Sequence, residues 1–425
     1  MRTVYVVLHY ILVTAYVVAP MVAVLRSARL RRTTGNGSAG YATLGTFVAG
    51  ATMGVAISVV YAVAVKGTVS ISQAMLAAYF ATSLLLLLKA FDGMLKTAVW
   101  RACVRRRIDE AGEPVVVVRR GRAAVGNLIR VVVLFGVGLP FVMSAIVTYR
   151  PKVLPNDDPL SQLGFPFERV TFRATDGVRI AGWWIPGNLD ARRMLSDRTV
   201  IICHGLGANK SNQLILARRL VPAGYNVLAI DLRAHGESGG QLSSFGDLER
   251  RDVLGAVRWL REDRPQTARR IYGVGASLGA AALIGAAADD SPEGRAIEAL
   301  AVYGTYDDLQ RLVTVLSRRT FLPPVSWIVD WLALPFASMH VGADLSRFRP
   351  AELVEKLWPR PILVIHGVQD QIIDFAHGQR LFDRAFQPKQ FLWLERGDHN
   401  SIINSDDAAD AVRRFFDTAR AVQVI

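Results

Sequence analysis

Hydrophobic residues follow two different patterns along the chain. In the first third they form long unbroken runs, at 4–25, 41–65, 71–88 and 131–147. About 20 apolar residues suffice to cross a bilayer as a helix, so four such runs in series predict four membrane-spanning helices in a region covering 1–149. The first run is too long for the apolar part of a signal peptide, and no small-residue cleavage site precedes the arginines that follow it. Pro140 predicts a kink in the fourth helix, and Arg130 is expected at its headgroup end, where the side chain can snorkel. A polar, Pro-rich linker is expected at 150–163.

From residue 164 the pattern shortens. Apolar strands at 169–174 and 178–185 flank Asp176-Gly177, a hairpin signal. Further strands are expected at 199–203, 226–231, 270–274, 299–303, 361–365 and 390–394. Helical stretches fall near 212–220, 246–261, 277–288, 378–386 and 406–421. This alternation predicts a mostly parallel eight-stranded sheet flanked by helices, with the opening hairpin at one edge. One interval breaks the rhythm: about 306–359 has no strand and carries the apolar series Phe321, Leu322, Val325, Trp327, Ile328, Val329, Trp331, Leu332, Leu334 and Phe336. So long an excursion is read as a helical cap over a site, although core packing is the plainer explanation of its apolar residues.

Charge adds orientation. The 425 residues carry a net +14 at a pI near 10.1. Residues 1–160 hold 18 Lys and Arg against 6 Asp and Glu, so nearly all of the excess lies there. The arginines sit between apolar runs, without a basic stripe of interleaved aromatics, which points away from nucleic acid and toward a bilayer. Basic loops at 26–40 and 89–122 belong on the cytoplasmic side by the positive-inside rule. Everything after residue 150 is then expected on the non-cytoplasmic side of the cell membrane, with Arg2 weighing against. Cys103 and Cys203 suggest no disulfide.

The candidate chemistry begins at Gly275-Ala276-Ser277-Leu278-Gly279, which closes a strand and opens an Ala-rich helix. A G-x-S-x-G segment in that setting is a nucleophile elbow: Gly275 and Gly279 let strand and helix approach around a strained turn that exposes the Ser277 hydroxyl. A base and an orienting carboxylate should follow at the ends of later strands, and His399 and Asp370 occupy those places. Asp307 or Asp308, after the preceding strand, could supply the acid instead. An oxyanion hole would use the amides of Leu278 and of Leu206, in the turn His204-Gly205-Leu206-Gly207. His204 and His235 come too early in the order and are read as structural, and His366 precedes the acid turn. His340, His377 and Asp398 are read as loop or solvent residues, and His9 as a packing residue of the first run. The dispersed histidines offer no metal constellation, and no cofactor is expected.

These stretches together resemble the α/β-hydrolase superfamily, within the serine aminopeptidase-like branch. The hairpin 175–184, the turn 204–210, the segment Asp231-Leu232-Arg233-Ala234-His235-Gly236-Glu237-Ser238, the elbow and the Asp370 and His399 turns carry the likeness over 164–425. It implies an α/β-hydrolase domain, and the large apolar cap expected here departs from the pattern of its membrane-tethered relatives. It also implies hydrolysis of an ester, thioester or amide through an acyl-enzyme on Ser277. Some membrane-tethered relatives with similar opening strands have one anchor helix or a lipid anchor, unlike the four spans expected here. The apolar cap and the nearby bilayer favour a hydrophobic acyl substrate and an esterase- or lipase-like activity. A serine aminopeptidase-like peptidase and a non-enzymatic membrane binding module are the alternatives. The expected partners are the lipid bilayer and a small acyl or peptide substrate.

Overall fold

The computed structural model describes Val48, Thr52 and residues 71–108, 112–149, 152–187, 196–402 and 404–419. The runs at 4–25 and 41–65, and His9, lie outside the described residues. The chain divides into two compact units, Met1–Val142 and Met143–Ile425.

In the first unit a helix covers Ile71–Cys103, followed by the antiparallel hairpin β1 (Val104–Ile108) and β2 (Pro114–Val118), and then by a helix over Arg120–Val133. Residues 89–103, expected as loop, are helical, because Lys, Ala and Leu favour helix there and no proline interrupts them. Arg130 pairs within this unit. Its Nε lies 2.9 Å from Asp92 of the preceding helix, and it bonds Asn127 at 3.2 Å, since a partially buried charge is better satisfied by a nearby carboxylate. A π-helical turn at Leu134–Gly138 leads into Leu139–Thr148, and this wide turn accommodates Pro140, which cannot continue a regular helical ladder. Among the described residues one helix, Arg120–Ala145, is long and apolar enough to cross a membrane.

The second unit is built on an eight-stranded sheet of β3 (Glu168–Arg173), β4 (Arg179–Ile185), β5 (Arg198–Cys203), β6 (Asn226–Asp231), β7 (Arg270–Ala276), β8 (Ile297–Tyr303), β9 (Ile362–Gly367) and β10 (Lys389–Leu394). The spatial order is β10-β9-β8-β7-β5-β6-β4-β3, parallel except where the β3–β4 hairpin adds antiparallel to β6. Central strands are buried on both faces. Ile201, Cys203, Leu228 and Ile230 pack against the helices Arg250–Asp263 and Leu278–Ala287, while Val200, Ile202, Val227 and Ala229 face Leu214–Leu220 and Asp406–Thr418. This two-sided burial explains the continuous apolar runs in the sequence.

The chain leaving the Leu139–Thr148 helix is tied to this unit. Ser243 N donates to Thr148 O at 2.8 Å, Tyr149 bridges Leu242, and Asn209 Nδ2 donates to Val153 O at 3.2 Å. The interval expected as a cap contains helices over Leu309–Thr320 and Val325–Val341. Leu309, Leu334, Ala337, Leu345 and Phe348 cluster with Ala281 of the elbow helix and with Ile373 beyond Asp370. Arg319 also donates to Gln371 O and pairs with Asp374, both at 2.8 Å. The cap is therefore anchored to both segments that carry candidate residues.

Buried charge fixes the loops at the sheet's C-terminal edge. Lys210 Nζ lies 2.5 Å from Asp231 Oδ2 and 2.9 Å from Glu237 Oε2, over the face of Trp183. Asp231 also accepts the backbone N–H groups of Lys210 and Glu237 at 2.8 Å. Lys210→Met leaves that carboxylate buried without its cation, so unfolding free energy should fall by about 3–5 kcal/mol, read from guanidinium denaturation of the full chain in detergent. A change under about 1 kcal/mol would show that this ion pair does not hold the loop.

Candidate active site

Ser277 follows β7 at φ 51° and ψ −114°, a conformation unusual for a residue with a side chain. Its surroundings account for the strain. Ser277 N donates to Tyr303 O at 2.8 Å, and Thr305 Oγ1 donates to Ser277 O at 3.1 Å, so the neighbouring β8 turn grips the elbow from both backbone ends. A Cβ on Gly279 would lie 2.5 Å from the carbonyl oxygens of Cys203 and His204, and one on Gly275 would lie 2.7 Å from the Gly279 backbone. Any larger residue would push the helix off the sheet.

Asp370 and His399 come together because β9 and β10 are adjacent and their C-terminal loops bond to each other. Val368 N donates to Leu394 O at 3.0 Å and Gln369 N to Gly397 O at 3.1 Å, with Gly367 packed directly on Gly397. His399 Nδ1 donates to Asp370 Oδ2 at 2.7 Å. The other oxygen, Oδ1, accepts the N–H groups of Ile372 and Ile373 at 2.9 Å each, so the buried carboxylate is fully engaged. The Ser277 side chain makes no hydrogen bond among the described residues. Such contacts are often long before substrate binds.

Gly304 is the piece that sequence reading did not single out. It follows Tyr303, the residue bonded to Ser277 N, and sits at φ +46°, with N–H donated to Ile365 O at 2.8 Å. A Cβ there would stand 2.8 Å from Ile402 Cδ1, 3.4 Å from His399 Nδ1 and 3.5 Å from Asp370 Oδ2. This turn thus lies between the elbow and the Asp370–His399 pair. Gly304→Ala should displace the imidazole and lower kcat on a soluble ester about 10²-fold while the fold, followed by circular dichroism, is retained. Wild-type kcat in that variant would remove the turn's positioning role.

Asp307 and Asp308 are committed elsewhere. Asp307 binds His377 Nδ1, Arg380 at 2.7 Å and Arg311 at 3.2 Å, and Asp308 caps the Leu309–Thr320 helix. Burial would raise the Asp307 carboxyl, but these donors outweigh it and hold the group at about 2. His377, read as a loop residue, is accordingly a buried partner of Asp307, because that carboxylate needs compensation. His340, also read so, lies 3.1 Å from Ser144 Oγ. Asp398 caps its own turn through Asn400 and Ser401, at the surface as expected. His366 sits under the acid, its Nε2 donating to Ile373 O at 2.9 Å and 3.6 Å from Asp370 Oδ2.

The turn 204–207 packs against the elbow. A Cβ on Gly205 would be 3.5 Å from Ser277 Cβ. Two histidines shape it. His204 Nδ1 donates to Gly205 O at 2.7 Å and its Nε2 accepts Leu232 N–H at 3.1 Å; His235 donates to Arg233 O at 2.8 Å and accepts Gly207 N–H at 3.1 Å. The Leu206 N–H donates to no group among the described residues. Leu278 opens its helix, where a backbone N–H has no carbonyl one turn earlier to bond.

Burial, with His235 adding repulsion, pushes His204 from 6.5 down to about 3. The unfolded chain therefore binds this proton more readily, and stability should fall as pH drops from 6.5 toward 3, by up to about 1.4 kcal/mol per unit. His204→Asn should flatten that acid slope in denaturant titrations at successive pH values. An unchanged slope would assign it to other groups.

Among the described residues no group of His, Cys, Asp and Glu is placed to hold a metal ion. An open groove of about 370 Å³, lined by Ala376, Gln379, Arg380, Phe382, Asp383, Phe391 and Trp393, lies at the β10 edge and includes none of the candidate residues.

Residues 200–415 match the Alpha/beta hydrolase family. The chain belongs to this family. The family assignment agrees with the sheet order and with the positions of the elbow and loops. Over 280 residues the chain is 26% identical to the uncharacterised protein YfhR of Escherichia coli K12, a match that spans 64% of this chain and 89% of that protein. It is 31% identical over 203 residues to the uncharacterised protein YqkD of Bacillus subtilis, covering 47% of this chain and 64% of that one. Among solved structures, the Pyrococcus furiosus esterase Pf2001 superposes with a TM-score of 0.51 at 24% identity, over 64% of this chain and 99% of the esterase, a likeness of fold.

Proposed function

We propose that this alpha/beta hydrolase family member is a membrane-anchored serine hydrolase that cleaves esters of hydrophobic acyl groups through an acyl-enzyme on Ser277. The observation that carries the proposal is the 2.7 Å bond from His399 Nδ1 to Asp370, held one turn away from the strained Ser277 elbow by Gly304. With Nδ1–H committed to Asp370, the other ring nitrogen, Nε2, is left as a base. It takes the Ser277 proton as Oγ attacks the acyl carbon, then returns it to the leaving alcohol, while Asp370 stabilises the imidazolium. The amides of Leu278 and Leu206 receive the developing oxyanion, each worth about 3 kcal/mol in the barrier. Water, activated by the same imidazole, releases the acid.

The Arg120–Ala145 helix supports the membrane anchor. The expected spans at 4–25, 41–65 and 71–88 would complete a multi-pass region, and the basic loops would place the hydrolase unit on the non-cytoplasmic side. Apolar residues along the cap favour acyl esters over the peptide substrates of the serine aminopeptidase-like alternative.

A fluorophosphonate probe should label the full chain and fail to label Ser277→Ala. Hydrolysis of p-nitrophenyl esters should become more efficient from acetate to palmitate. Asp370→Asn should lower kcat by about 10³–10⁴-fold with little change in KM. Labelling that survives Ser277→Ala would overturn the nucleophile, and faster cleavage of short peptides than of any ester would overturn the substrate class.

A further inference from the structure

The Val325–Val341 helix departs from the usual surface helix, which turns charged residues outward. Trp327, Trp331 and Met339 are 62%, 79% and 60% exposed, and Pro335 is exposed between them. Their four-residue spacing puts all of them on one face. The opposite face, Ser326, Val329, Leu334 and Ala337, is buried. Asp330, the helix's acidic residue, turns sideways to the Leu309–Thr320 helix, where it accepts from Ser317 Oγ and pairs with Arg318 at 3.3 Å. The outward stripe is therefore uncharged and holds two tryptophans, and Leu322, 83% exposed, precedes it.

Water is a poor neighbour for such a face, and a monomeric soluble protein rarely exposes one without a partner. The position of the helix indicates which partner. His340, one residue beyond Met339, has Nε2 3.1 Å from Ser144 Oγ. Ser144 lies in the last turn of Arg120–Ala145, the described helix that can cross a bilayer. The C-terminal end of the stripe is thus one residue from a contact with the last turn of that apolar helix. An indole ring is apolar with one hydrogen-bond donor, the chemistry suited to the headgroup–acyl boundary. At 17 residues the helix is shorter than a span but long enough to lie in that layer.

We propose that Trp327, Trp331, Pro335 and Met339 form a membrane-docking face that seats the cap in the interfacial layer, so that the hydrolase unit takes substrate from the bilayer. This rests on the membrane-anchor reading. The cap is anchored to Ala281 and Ile373, beside the elbow and the Asp370 loop, so the docking would set the candidate site against the lipid surface.

The test places single nitroxides on the full chain in nanodiscs of phosphatidylcholine and phosphatidylglycerol. Cys103 and Cys203 are buried, so an introduced exposed cysteine takes the label. Trp331→Cys reports on the stripe, Phe135→Cys on the spanning helix, and Glu262→Cys on water-exposed surface. The label at 331 should favour oxygen over a nickel chelate, at a depth between those of 135 and 262. If 135 is lipid-embedded while 331 matches 262, the docking face is wrong and the anchor stands. If 135 itself matches 262, the anchor fails and the docking face fails with it. Protection of 331 from both reagents would mean a protein contact, from a second copy or another partner, and would also overturn the proposal. A paired Trp327→Ser/Trp331→Ser variant should keep acetate-ester turnover within about two-fold and lose about ten-fold on long-chain esters embedded in vesicles. Equal loss on both substrates would assign the tryptophans a merely structural role.

Discussion

The backbone approach at Gly279 governs the rest of the hydrolase unit. The start of one helix rests on the carbonyls that end β5, at a separation no side chain would tolerate. That contact forces Ser277 into its strained turn, aims the helix N-terminus at the space above the sheet, and brings the turn 204–207 alongside. The Ser277 turn and the adjoining Leu278 N–H thereby come beside a loop that lies about seventy residues earlier in the chain. The strain is local and is offset by the Tyr303 and Thr305 hydrogen bonds to the same residue.

Around this point buried polar networks hold the loops. Lys210 with Asp231 and Glu237 holds the segment after β6. Arg233 reaches Asp252 and the hairpin residue Asp176, and Asp307 gathers His377 and Arg380. Each network joins segments far apart in the chain, and each contains charges that would be costly if a partner were missing. Such loops have few alternative arrangements, which suits a site whose groups must stay within bonding reach.

The cap carries a different balance. Its inner face is held by Leu334, Ala337 and Phe348 against the elbow helix and the Asp370 loop, while its outer face is apolar and largely exposed among the described residues. One packed face and one unpartnered apolar face fit an element working between a protein surface and a less polar medium. The hydrogen bond from His340 to Ser144 places its end beside the last turn of the long apolar helix.

Much of this unit was legible in the sequence. Strands buried on both faces read as near-continuous apolar runs, so β5, β6 and β7 stood out, and the elbow's two glycines marked a close approach that only Gly permits. Asp370 and His399 followed from their places after β9 and β10. What sequence could not distinguish was which acid meets the histidine: Asp307 and Asp370 both follow strands, and only the lateral order β8-β9-β10 set Asp370 against His399 while His377 and Arg380 claimed Asp307. Gly304 was invisible for the same reason, since a glycine after a strand has no signature until its neighbours are assembled. Nor could composition show that Arg130 would find Asp92, or that Trp331 would face outward. Local pattern decides which residues must leave water, whereas pairing between distant segments is a property of the assembled sheet and of the loops it brings together.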